Sequence, residues 1–69
     1  MKEEHIAELL KMSIGDEYKI NWYEESGTMI EKTTGGFYLL VCEYGDYSTK
    51  EFYREDEVDE LVEEAMTYI

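Results

Sequence analysis

The chain has 69 residues, 43% of them hydrophobic and 14% aromatic, with 18 acidic against six basic side chains and a formal charge of -12. A chain of this size makes one domain that removes only about 60% of its unfolded-state surface from water, and its apolar content is too high for a disordered acidic tail. One cysteine, Cys42, forms no internal disulfide, and Cys42 with the single His5 makes no structural zinc site.

The charge itself constrains the partners. A field of this sign repels phosphates and anionic lipid alike, which argues against direct binding to nucleic acid or membrane and calls for a basic protein as counterpart. Met1, Lys2, Glu3 and Glu4 do not resemble a secretory leader. No apolar run nears the roughly 20 residues that span a bilayer, and one unpaired thiol suits a reducing compartment. The expected location is the cytoplasm.

The first predicted element is a helix near residues 2–13. Ile6, Leu9, Leu10 and Ser13 follow helical spacing, Lys11 lies in the last turn, and Gly15 is placed to terminate it in the left-handed conformation. Alternation then predicts four strands, Tyr18 to Glu24, Thr28 to Thr34, Phe37 to Tyr44 and Tyr47 to Tyr53. The connecting turns are expected at Glu25-Ser26-Gly27, Gly35-Gly36 and Gly45-Asp46.

Those turns pair Trp22 with Ile30, Ile30 with Val41, and Leu39 with Phe52. One face then carries Tyr18, Ile20, Trp22, Ile30, Phe37, Leu39, Val41 and Phe52, the expected core beneath the helices. The other carries Tyr23, Met29, Tyr38, Leu40, Cys42, Tyr44, Tyr47 and Tyr53, which is too apolar for an ordinary wet face and marks an interaction surface, or the seat of one helix if the helices divide between the faces.

The last predicted element is a helix from about Asp56 to Tyr68, with Val58, Leu61, Val62, Ala65, Met66 and Ile69 on one stripe. Asp56 is the expected N-cap, and Glu57, Asp59 and Glu60 complement the positive end of the helix dipole. The fold class is therefore α+β: helix, four-stranded antiparallel meander, helix, in two layers.

No catalytic constellation stands out. No serine has a histidine and an acid at motif spacing, and Cys42 in an apolar strand has the setting of a core residue rather than a nucleophile. The run Glu55 to Glu60 lacks the glycine and ligand order of a calcium loop, and its carboxylates diverge around a helix. Neither an enzyme nor a cofactor is expected.

The density of acid at the end of the chain is the stronger signal. Seven of the ten residues from Glu55 to Glu64 are acidic and none is basic. Solubility accounts for charged runs in general, but like charges at helical spacing weaken a helix. The functional reading is imitation of a nucleic-acid backbone. Carboxylates three or four residues apart advance about 4.5 to 6 Å along a helix, against about 3.4 Å per phosphate on a DNA strand. The expected partner-binding residues are Asp56, Glu57, Asp59, Glu60, Glu63 and Glu64, with Tyr38, Tyr44, Tyr47 and Tyr53 as amphipathic anchors.

The short helix ending near Lys11, the meandering strands, the excess of acid and the acidic final helix resemble the small phage-encoded anti-CRISPR inhibitors that imitate DNA. The resemblance is one of architecture and composition, with no shared motif. It implies a protein acting in the host-cell cytoplasm that blocks the DNA-binding groove of a CRISPR effector. Two other functions fit the residues: a homodimer formed through the tyrosine-rich sheet face, and an acidic antitoxin or immunity protein that neutralises a basic toxin.

Overall fold

The structure, a computed structural model, describes residues 2–67, apart from the side chains of Thr49 and Lys50. The element order is α1 (Lys2–Leu10), β1 (Glu17–Tyr23), β2 (Ser26–Thr33), β3 (Gly36–Glu43), β4 (Asp46–Arg54), a 3-10 turn (Glu55–Glu57) and α2 (Val58–Thr67). The strands form one antiparallel sheet in the order β1-β2-β3-β4, as the α+β meander anticipated.

Both helices lie on the same face. Leu9 of α1 and Val58, Leu61, Val62 and Ala65 of α2 form one buried cluster with Ile20, Ile30, Phe37, Leu39 and Tyr53 of the sheet. The α2 stripe meets the expectation from helical spacing, with Met66 partly buried against the same cluster. Tyr68 and Ile69, placed by sequence at the end of that helix, lie outside the described residues. Thr28 is a fully buried polar residue that sequence did not single out. Its hydroxyl donates to the Ile20 carbonyl at 2.8 Å and lies 3.4 Å from that of Ala65, so it ties β1, β2 and α2 together.

Both helix ends differ from expectation. Helix α1 stops at Leu10 and tightens into i to i+3 bonds, Lys11 N–H to Glu8 and Met12 N–H to Leu9. Leu10 is thereby left 65% exposed, and Met12, rather than Leu10 or Ser13, packs against the core. Gly15 does not cap α1. It belongs to the next turn, where Ser13 N–H donates to the Asp16 carboxylate and Gly15 N–H reaches the Lys32 carbonyl. Ahead of the other helix, Asp56 lies inside the 3-10 turn, which Arg54 caps with its N–H donated to Glu57 Oε1 at 2.9 Å.

The sheet departs from prediction in register. The turns fall at Glu24-Glu25, Thr34-Gly35 and Tyr44-Gly45, and Ile30 pairs with Leu39 and Tyr18, not with Val41 and Trp22. Glu24, Glu25 and Tyr44 have φ of 49°, 63° and 50°, the left-handed values of tight hairpin turns, which composition alone assigns to glycine or asparagine.

Two bulges complete the difference, one in each edge strand. In β1 the pairing shifts between Ile20 and Tyr23, where Asn21 has φ 56°. In β4 it shifts across Lys50, since Leu39 pairs with Glu51 but Leu40 with Thr49. An extra residue reverses the alternation beyond it. Trp22 and Phe52 therefore leave the expected core face for the open one, and Tyr53 moves from the open face into the core. The first bulge needs Gly27: a Cβ there would lie 2.7 Å from the Asn21 carbonyl oxygen and 2.8 Å from the Trp22 Cα.

Candidate protein-binding surfaces

The open sheet face is curled, because a bulge at each edge strengthens the local twist. Trp22 of β1 and Tyr47 of β4 bring their ring centroids within 6.3 Å of each other, although two strands separate them in the sheet. The Lys19 ammonium stands 4.7 Å from the Trp22 ring centroid. Met29 and Cys42 on this side are only 5% and 2% exposed. The Cys42 thiol donates to the Glu25 carbonyl at 3.1 Å. Lost hydration, with Cys42, Glu17 and Glu25 nearby, holds the Tyr47 phenol above its usual range.

At the other end of this face the row Glu17, Glu31, Tyr38, Phe52 runs across all four strands. Tyr38 and Phe52 meet edge to face at 5.3 Å and are 38% and 43% exposed.

The helix side carries a second surface. Asp59, Glu60, Glu63 and Glu64 are exposed on α2, opposite its buried stripe. Lys2 reaches across from α1 to Glu63. That hydrogen bond, followed by the charges of Glu63, Asp59 and Glu3, raises the Lys2 pKa above 10.5 despite some loss of hydration. Asp56 and Glu57 sit 3.9 and 3.7 Å from Arg54, while Glu55 takes Lys32 at 2.6 Å. Among the described residues Asp59, Glu60 and Glu64 make no ion pair.

The third surface is the end of the sheet where the β1–β2 and β3–β4 turns meet. Gly45 N–H donates to the Glu25 carbonyl and Tyr44 N–H to Ser26 Oγ, so the two tips are held together. Tyr23 and Tyr44, 74% and 84% exposed, stand there among Glu24, Glu25, Glu43 and Asp46. A groove of about 380 Å³ opens beside them, lined in part by Asn21, Tyr23, Gly27 and Cys42.

The predicted binding residues are therefore not one site. The α2 carboxylates lie on the helix side, Tyr38 and Tyr47 on the sheet side, and Tyr44 at the tip. Tyr53 belongs to none of them, being 7% exposed in the core with its hydroxyl donated to Glu51 at 2.8 Å. Sequence reasoning missed Trp22 and Phe52 because only the bulges turn them outward, and it missed the tip because it gave the turns as Glu25-Ser26-Gly27 and Gly45-Asp46 and had no signal that the first and third meet.

Within the described residues no group of His, Cys, Asp and Glu could hold a metal ion, and no helix is long and apolar enough to cross a membrane. The fold defines a small α+β domain with an open, curled meander. No protein family matches the chain, and neither a curated protein nor a solved structure shows significant similarity to it.

Proposed function

We propose that this protein is a non-enzymatic inhibitor that occupies the nucleic-acid-binding groove of a basic protein. The observation that carries the reading is the outer row of α2: four exposed carboxylates in two turns, of which only Glu63 is met by a cation among the described residues. The row gains little from its own fold, since like charges three and four residues apart weaken a helix. Lysine and arginine of a partner relieve that repulsion and displace the cations gathered around the carboxylates, as they displace those condensed on a nucleic-acid strand. A CRISPR effector is the partner class that the resemblance to anti-CRISPR inhibitors suggests.

The test is competition. Cas9 loaded with guide RNA, alongside other basic nucleic-acid-binding proteins, is titrated with this protein at about 50 and 200 mM salt with a labelled DNA target present. The expected result is displacement of DNA that weakens steeply with salt. Changing Asp59, Glu60, Glu63 and Glu64 together to Asn or Gln should reduce affinity by at least about tenfold and flatten the salt dependence. Binding that survives these changes unaltered refutes the reading.

A further inference from the structure

Glu17 and Glu31 occupy directly opposed positions on β1 and β2, on the open face. In an antiparallel pair such positions hold side chains about 5 Å apart, and like charges there are unfavourable. A lysine or arginine opposite the glutamate would be the ordinary remedy, yet the chain's described cations are engaged elsewhere. Lys19 lies over Trp22, and Lys32 turns to Glu55 on the helix side. Lys2 is taken by Glu63, Lys11 by Glu8, and Arg54 by Asp56 and Glu57.

Tyr38 continues the row beside Glu31, followed by Phe52, so two carboxylates adjoin two partly exposed rings in edge-to-face contact. That sequence of groups matches one side chain. A guanidinium is planar, presents a fork of donors that pairs with a carboxylate, and stacks on an aromatic face, whereas an ammonium does only part of this. The strip is also poorly suited to a second copy of the chain, which would bring two more carboxylates onto it and double a charge of -12.

We propose that the strip Glu17, Glu31, Tyr38 and Phe52 docks an arginine-bearing segment of the basic partner. The inference rests on the reading of a basic partner and adds the surface and the side chain. The partner then grips the domain from both sides, with diffuse attraction at α2 and a shaped anchor on the sheet.

The test uses the intact, 15N-labelled protein and two synthetic peptides of equal length and charge, one alternating arginine with leucine and the other lysine with leucine. Amide and ring shifts should concentrate on Glu17, Glu31, Tyr38 and Phe52, with the arginine peptide bound at least about fivefold tighter. The double change Glu17→Gln, Glu31→Gln and the single change Phe52→Ala should each remove that preference. Phe52→Leu, which keeps apolar bulk without a ring, separates loss of stacking from loss of fold. Shifts confined to α2 and the hairpin tips, or equal affinity for both peptides, overturn the proposal while the acidic-inhibitor reading stands. Shifts at the strip that grow with protein concentration in the absence of peptide also overturn it, by showing a second copy there. Absence of any salt-sensitive binding to either peptide refutes the basic-partner reading beneath it.

Discussion

Glu24 and Glu25 show how a residue can be strained by its fold and unannounced by its sequence. Both have positive φ, in a region that costs a non-glycine residue about 1 to 2 kcal/mol. Replacing the pair by Asn-Gly, the dipeptide suited to this turn, should raise stability by about 1 to 2 kcal/mol in urea unfolding. Tyr18 bears on pH. Burial, with Glu8 and Glu4 nearby, raises its pKa above 10.0, while its oxygen stays 2.8 Å from His5 Nδ1. The folded chain therefore keeps a phenol proton that the unfolded chain gives up first, so stability is lost as pH rises from about 10. Lys2, also raised, acts with the same sign: its contribution is complete below 10.5 and disappears above its folded value. Urea midpoints between about pH 9 and 11 should fall steadily, and less steeply in Tyr18→Phe.

Among the elements, α2 separates buried from exposed positions most clearly. Leu61 is fully buried, and Leu61→Ala should cost about 2 to 5 kcal/mol, enough to unfold much of so small a domain at room temperature. Neutralising Asp59, Glu60 and Glu64, with Glu63 left to its pair with Lys2, should leave thermal unfolding unchanged or raise its midpoint, because repulsion is relieved and the stripe is untouched. Calorimetry on the two variants checks both directions.

The same helix was the most legible part of the sequence, since a period of 3.6 over Val58, Leu61, Val62 and Ala65 survives an error of a residue or two at its ends. Strand existence and order, and the interior face of Ile30, Phe37 and Leu39, were legible for a similar reason: in the second and third hairpins turns misplaced by one residue on each strand preserve the parity of the pairing, while Ile20 keeps its face because the bulge at Asn21 offsets a turn one residue shorter than expected. The faces of Trp22, Phe52 and Tyr53 were not. They depend on single extra residues at Asn21 and Lys50 whose only local trace is an unremarkable polar side chain. With that parity lost, the composition of the open face was misjudged and the candidate surfaces could not be separated.

For the whole molecule, the pairing of elements sets the order in which it can assemble. Every strand pairs with its neighbour in sequence through a tight hairpin, whereas the helix layer joins the two ends of the chain, as the link from Lys2 to Glu63 shows. Hairpin closure spans few residues and is entropically cheap, while docking of α1 on α2 must wait for nearly the entire chain. The sheet should therefore be a persistent native-like substructure, and α1 the part that detaches first. Amide hydrogen exchange should find β2 and β3 slowest, at the rate of global unfolding, and α1 exchanging through a local opening of lower free energy. Uniform protection of α1 and the central strands would instead show that both layers form in a single step. Partial detachment of this kind uncovers Leu9 and the part of the α2 stripe beside it, so limited proteolysis should cut first at α1, at a rate set by the hold of that helix.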